Sequence, residues 1–297
     1  MNMAYVSTDL AAECRDDWGV GALSGVVYRE EEQAGVHLAH IHIENEEGAR
    51  SVGKPVGNYL TLTFSDLRYL GESTLVALQE ILCGEIVSMM HTLCPDVKTV
   101  LVVGLGNRRI TSDAVGPRVA QGILVTRHLT QLDPSLFAAL AHRSVAVLTP
   151  GVLADTGMEA AEMVKKAVES VEPDLVIAVD ALAARRAQRL GCTVQLSDAG
   201  IAPGSGVGNH RMALSRETLG VPVLALGVPT VVGCATLVYE ALEKAGMVPP
   251  NEEMQRVLQE QRNFFVTPKE SDEIVRMFGD LLSKVLDAAL ALQEAAG

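Results

Sequence analysis

Basic charge is scarce in this chain relative to its opposite: 24 Lys and Arg face 37 Asp and Glu, for a formal net charge of −13. Sequence-independent affinity for nucleic acid comes mainly from clustered cations, so direct binding to a phosphate backbone is not expected. Solubility accounts for the acidic surface, with a basic protein partner as a second use. Cysteine pairs are missing too. Cys14, Cys83, Cys94, Cys192 and Cys234 are odd in number and widely spaced, with no Cys-x-x-Cys, which argues against a disulfide framework or a zinc knuckle. No run approaches the roughly eighteen uninterrupted apolar residues of a membrane span, and the first residues lack a basic flank and an apolar h-region. No membrane association and a cytoplasmic location are therefore expected. Internal repeats and low-complexity segments are also absent.

What the chain does have is core-forming material, 48% hydrophobic residues with only 21% charged. We read 1–297 as a single domain with a β-rich N-terminal part over 20–64, an α/β core over 97–232 and C-terminal helices over 251–297. In the first part, Gly25-Val-Val-Tyr, Val36-His-Leu-Ala-His-Ile-His-Ile and Tyr59-Leu-Thr-Leu-Thr-Phe are separated by charged or glycine-bearing turns. His40 and His42 share one face of the second strand. No carboxylate or third histidine stands at ligand spacing, so a solvated face is the stronger reading than a metal site. Apolar positions fall at helical spacing from about 71 to 94. Short aliphatic runs at Thr99–Val103, Ser144–Leu148, Leu175–Val179, Thr193–Leu196 and Val221–Leu226 then alternate with glycine loops and helix-like stretches. That alternation predicts an α/β fold, a mostly parallel sheet covered by helices on both faces. The tail reads as two helices broken by Phe264-Phe-Val-Thr-Pro-Lys.

Two aspartates follow the two clearest strands: Asp113 in Gly104-Leu-Gly-Asn-Arg-Arg-Ile-Thr-Ser-Asp, and Asp180 in Leu175-Val-Ile-Ala-Val-Asp. Ligands of open α/β sheets bind at the carboxyl ends of the strands, so two carboxylates delivered there form a candidate acid–base pair. Taken singly, each reads better as an N-cap of the helix-like stretch behind it; the two together, with two glycine loops opening onto the same sheet edge, strengthen the reading as a pair. Gly104-Leu-Gly106-Asn107 invites a dinucleotide reading but fails at the third glycine, where Arg109 stands. The glycine-rich Ala202-Pro-Gly-Ser-Gly-Val-Gly-Asn209 lacks the Lys-Ser/Thr of a phosphate loop and the frame of a nucleophile elbow; an anion nest, a substrate-shaping loop and a tight turn remain open for it. Asp155-Thr-Gly157 matches the triplet of pepsin-like peptidases and Asp198-Ala-Gly200 comes close, yet those enzymes are nearly all-β. We read Asp155 as a residue of a helix's acidic first turn and Asp198 as a turn residue before Gly200.

Together these residues resemble the germination proteases of spore-forming bacteria. The likeness is carried by Ser7-Thr-Asp-Leu-Ala-Ala-Glu, Gly104-Leu-Gly-Asn with Asp113-Ala-Val-Gly-Pro, Val125-Thr-Arg-His-Leu, Pro150-Gly-Val, Thr156-Gly-Met-Glu, the segment from Pro173 to Arg185, the glycine loop from Gly200 to Asn209, Leu219-Gly-Val-Pro-Val, Gly227-Val-Pro-Thr-Val-Val and Phe265-Val-Thr-Pro-Lys-Glu. It runs almost end to end.

The resemblance implies an atypical aspartic endopeptidase that degrades small acid-soluble spore proteins, the DNA-coating proteins of the dormant spore, in the spore core. It implies a hydrogenase-maturation-protease-like core with an N-terminal β-rich extension, and a homotetramer made from an inactive precursor. The family's two catalytic aspartates fall on Asp113 and Asp180. Substrate contacts are expected from Gly106, Asn107, Thr156, Glu159, Gly204, Ser205, Gly206 and Asn209, with no cofactor and no metal. Family precursors carry a propeptide ahead of the segment matching Ser7-Thr-Asp-Leu-Ala; six residues precede it here, so either the start site or the regulation is expected to differ. The family usually has Asp-Thr-Gly at Asp198-Ala-Gly and no acid at Asp155, which argues against a required role for Asp155.

Two neighbouring carboxyls cannot both ionise cheaply, so one keeps a proton while the other activates water. Two alternatives stand beside this. One is a metal-dependent endopeptidase in which Asp113 and Asp180, with His128 or His210, hold a divalent ion. The other is a silent homologue that binds spore proteins without cutting them.

Overall fold

The aliphatic runs become neighbouring strands because each is apolar on both faces and has to be covered on both. A computed structural model describes residues 8–15, 23–204, 211–247, 251–261 and 263–292. Its strands are β1 (Val26–Gln33), β2 (Val36–Ile43), β3 (Gly57–Thr63), β4 (Thr99–Gly104), β5 (Ser144–Leu148), β6 (Leu175–Ala184), β7 (Thr193–Ser197), β8 (Val223–Gly233) and β9 (Phe265–Val266). All join one sheet in the order β1-β2-β3-β7-β8-β6-β4-β5, with β9 beside the end of β8.

Pairing is parallel between β5 and β4, β4 and β6, and β6 and β8. Elsewhere it is antiparallel. The parallel sheet read from the sequence is thus the α/β core, and the whole sheet is mixed. Connection length explains the difference, since a parallel return needs a crossover of about a dozen residues or more. Only 185–192 separates β6 from β7, too short for one, so β7 runs back antiparallel. Ala34 and Gly35 join β1 to β2 with φ of 51° and 80°, the two positive values that a tight hairpin turn requires.

Within β4 and β6, successive side chains enter opposite cores. Val100, Val102, Ile177 and Val179 pack with helices Glu72–Leu93, Val115–Gly122 and Ser271–Leu290. Leu101, Val103, Val176 and Ala178 pack with helix Ala160–Val171 on the other face. Each buried aliphatic side chain contributes roughly 1.5–3 kcal/mol. An aspartate at the end of such a run forfeits that gain, so Asp180 calls for a functional reason.

Two further elements differ from the sequence reading. β6 does not give way to a helix after Val179; Ala181-Leu-Ala-Ala continues as strand, pairing with β8 as far as Ala184 opposite Val232. Ladder pairing overrides the helix propensity of alanine and leucine. The β6–β8 register shifts between Leu182 and Ala183, opposite Pro229 and Val231, leaving Thr230 as the extra residue of a bulge. The tail breaks as expected, but its break contains the short strand β9. Helix Glu72–Leu93 is the one described helix long and apolar enough to cross a membrane by length and composition, with mean hydropathy 1.3. Its Leu78, Ile81, Leu82, Ile86 and Met90 are buried in the core shared with the sheet, and it carries Glu80 and Glu85. Packing on the sheet accounts for its apolar stripe.

Candidate active site

The cleft arises where β4 stops and β6 continues. Their pairing ends at Gly104 opposite Val179, and Leu105 N–H makes a last bond to Val179 O at 2.8 Å. The chain then leaves the sheet through Gly106-Asn107 into the tight turn Thr111–Asp113 and the helix Val115–Gly122. Gly106 has φ of 110°, and a Cβ there would overlap the Asp113 carbonyl oxygen. A Cβ on Gly116 would overlap the carbonyl oxygens of Leu105 and Val179. These glycines press the Asp113 turn and its helix against β4 and β6, which explains the glycine loop without a nucleotide.

Asp113 and Asp180 line one cavity of about 570 Å³, together with Gly106, Gly204, Arg211 and Thr230. The helix behind Asp113 has no side-chain cap, so the capping role considered for Asp113 is not the one it plays. Its Oδ2 instead accepts Asn107 N–H at 2.8 Å. Burial pushes the Asp113 carboxyl above its ordinary value, while the Asn107 N–H and the Arg211 charge act against this by favouring the ionised form. Asp180 is 4% exposed, and its Oδ1 accepts Ala181 N–H at 2.9 Å. Burial first, then the Asp113 charge, hold Asp180 well above the ordinary carboxylate range; Ala181 N–H opposes them, and Asp9 adds to the rise. The environments therefore differ in degree: both carboxyls are raised by burial, and Asp180 is held well above the ordinary range.

Other expected residues divide between the cavity and its surroundings. Gly106 and Gly204 line it. Asn107 and Thr156 line an adjoining depression that shares Gly106 and Gly151 with the cavity. Glu159 is engaged in a capping box with Glu162 at the start of helix Ala160–Val171 and is not among the cavity-lining residues. Ser205, Gly206 and Asn209 lie outside the described residues. Asp155 belongs to the short helix Leu153–Thr156 and pairs with Arg109 at 3.5 Å, and Gly157 ends that helix at φ 71°. That glycine serves as a C-cap, so the pepsin-like triplet is a helix end. Asp198 accepts both Asn58 N–H and Asn58 Nδ2, each at 2.6 Å, tying β3 to β7. His40 lies 3.2 Å from Glu31 on the sheet surface.

Among the described residues, no three His, Cys, Asp or Glu side chains form a group that holds a metal. His128 is exposed before the short helix Leu129–Leu132, away from the cavity, and His210 lies outside the described residues. Sequence reasoning missed Asp9, Arg211, Thr230 and Phe265 as cavity residues. Three of them stand in quoted family segments, and Arg211 comes two residues after Asn209, the end of the glycine loop. Bulged Thr230 donates its hydroxyl to Ser112 O at 2.6 Å, fixing the turn that carries Asp113.

The cleft brings two carboxyls of unlike burial into one cavity, and sequence relatives give the class. The family model for germination protease matches residues 7–247. The germination protease of Caldanaerobacter subterraneus is 39% identical over 96% of this chain and 94% of its own length. That of Clostridium perfringens is 35% identical over 97% and 96%, and that of Priestia megaterium 40% identical over 80% and 66%. Among solved structures, the NiFe hydrogenase maturation protease HycI of Thermococcus kodakarensis overlays with a TM-score of 0.35 at 18% identity, covering 67% of this chain and 98% of that one. The chain is a peptidase. It belongs to the germination protease family, whose members act in spore germination.

Proposed function

We propose that this peptidase is of the aspartic type, with Asp113 as general base and Asp180 as general acid. The observation that carries the reading is the pair of carboxyls in one cavity with unlike environments. Burial raises both carboxyls and each accepts one backbone N–H, but Asp113 has a nearby cation that favours its charge, whereas Asp180 has deeper burial and a neighbouring anion that favour its proton. Ionised Asp113 removes a proton from a water that attacks the peptide carbonyl. Asp180 donates its own proton to the carbonyl oxygen or to the leaving amine. Gly106 and Gly204 line the cavity, and in this reading backbone N–H groups of their loops stabilise the oxyanion.

The substrates proposed are small acid-soluble spore proteins, cut in the spore core by a homotetramer derived from a zymogen. This rests on the family likeness.

Asp113→Asn and Asp180→Asn each keep size and shape while removing one acid–base function. Each is expected to lower cleavage of a purified acid-soluble spore protein by about 10²–10⁴-fold, read on gels, with an unchanged circular dichroism spectrum. Turnover near the parent rate in either variant removes that residue from the chemistry.

A further inference from the structure

We infer that the outer edge of β5 docks the substrate's main chain as an added strand, and that the chain then turns over the end of β4 into the catalytic cavity. The inference deepens the peptidase reading above and rests on it for the position of the reacting centre. β5 is the last strand on its side of the sheet, so one of its edges has no strand partner. Its first part is closed nonetheless. Thr126 N–H and Arg127 N–H both donate to Val145 O, at 3.1 and 3.0 Å, and Val145 N–H donates to the Thr126 hydroxyl oxygen at 2.9 Å. Ser144 N–H turns the other way, to Lys98 O just ahead of β4 at 2.8 Å. Main-chain groups alternate in direction along a strand, so Val147 is the next residue whose N–H and C=O point outward. No described residue bonds to either group, nor to those of Thr149, the next in that series. Burial follows the same division. β4 is buried from Val100 to Gly104, whereas in β5 only Val145, the residue covered by Thr126 and Arg127, is buried.

Free edges are ordinarily guarded by charge, proline or a covering segment, because an unpaired ladder recruits other chains. β1, at the far end of the sheet, carries Arg-Glu-Glu-Glu-Gln; the Ser-Val-Ala-Val-Leu of β5 carries no charge. An unguarded edge suits an occupant that arrives as an extended chain, which is how a peptide adds a strand to a sheet. Continuity with the cavity selects the substrate as that occupant over a second copy. Beyond Leu148, Thr149 and Pro150 line the depression that adjoins the cavity, and Gly151 lines both. Gly106, from the end of β4, lines both as well, so the depression joins the β5 edge to the wall that carries Asp113. Strand spacing of about 4.8 Å sets a chain beside β5 roughly 14 Å from β6 and Asp180, or about four extended residues. Pairing through N–H and C=O supplies affinity without regard to side chains at those positions, and selection is left to the cavity.

The test uses the parent enzyme and a peptide spanning a bond that it cuts, taken from a purified acid-soluble spore protein, with each backbone N–H replaced in turn by N-methyl. Loss of a paired N–H is expected to raise KM about 5-fold with kcat unchanged, at alternate positions beginning roughly four residues from the scissile bond on one side. Val147→Pro withdraws the outward donor and leaves the ladder to β4 intact, a substitution that edge strands accommodate. It is expected to raise KM for the unmodified peptide several-fold and to flatten the distal alternation, whereas Val147→Thr keeps both at parent values. A scan in which methylation matters only beside the scissile bond overturns the inference, and that arm needs no variant to fold. A changed oligomeric state of Val147→Pro on size-exclusion chromatography, with parent-like KM, assigns the edge to a second copy and overturns it too. Asp180→Asn separates the two readings: retained turnover sinks the aspartate pair whatever the scan shows, and an inactive variant beside a scan without distal alternation leaves the pair standing and removes the edge.

Discussion

Two grooves of equal size, each about 570 Å³, lie on opposite halves of the sheet, and they differ in whether their charges are settled. The groove on the antiparallel half is lined by His40, His42, Asn58, Glu85 and Asp198. Its acid Asp198 is bonded twice to Asn58, and His40 stands beside Glu31. The cavity on the parallel half brings Asp113, Asp180 and Asp9 together with Arg211 as the described cation. Volume does not separate the two. What does is the pair of raised carboxyls, Asp113 and Asp180, in the second site, and perturbed titration of this kind clusters at functional sites. The edges differ in the same sense. β1 closes the antiparallel half with the exposed Arg-Glu-Glu-Glu-Gln of 29–33, a charged border that discourages further pairing, whereas the end of β6 beyond Val179 is covered by the N-terminal segment, with Asp9 bonded to both main-chain groups of Ala183.

This contrast can be broken or sharpened by substitution. After loss of either catalytic carboxyl, the largest expected effect comes from Gly106→Ala, because the new methyl has to displace the backbone of Asp113. A shift of about 1 Å at a catalytic group costs on the order of 10²-fold. A fall of that size in kcat with a retained fold is expected in steady-state assays; parent-like kcat would mean that the position of Asp113 does not matter.

An intermediate effect, of opposite sign, concerns stability. The Asp180 carboxyl is raised in the folded protein by burial and by the Asp113 charge. Its contribution is therefore fully present below the ordinary carboxylate range and is lost as pH rises from there through the raised folded value. Asp180→Asn removes this loss, so the variant is expected to be more stable than the parent at neutral pH by roughly 1–3 kcal/mol, while inactive. Thermal unfolding at several pH values checks this, with the gap closing under acidic conditions. A destabilised variant at neutral pH would mean that Asp180 is structural.

The smallest effect belongs to the other groove. Asp198→Ala removes an acceptor for two Asn58 donors and is expected to cost about 1 kcal/mol in denaturant unfolding. Its kcat/KM should match the parent, and a large catalytic loss there would show that the chemistry is not confined to the parallel half.

Most of the core was legible from the chain because β4, β5 and the first half of β6 are continuous aliphatic runs whose pattern admits few alternatives. The second half of β6 was not. Ala181-Leu-Ala-Ala carries a helical preference, and only its pairing with β8, far along the chain, decides the matter. The direction of β7 was hidden for a related reason: its composition suits either orientation, and the shortness of 185–192 excludes the crossover. In the site, Asp113 and Asp180 announced themselves by following strands. Asp9 did not, since an aspartate in Thr8-Asp-Leu reads as a local turn until the fold lays it beside Ala183. Thr230 was equally silent, because a bulge depends on two strands at once.

That bulge links distant parts of the sequence. The Thr267 hydroxyl donates to Thr230 O at 3.0 Å, and the Thr230 hydroxyl donates to Ser112 O, one residue before Asp113. The segment just ahead of the last helix is therefore strapped through two threonines to the turn that carries Asp113. The C-terminal portion is part of the machine's alignment rather than an appendage, and any change that unseats it is transmitted to the reacting centre along a path only two side chains long.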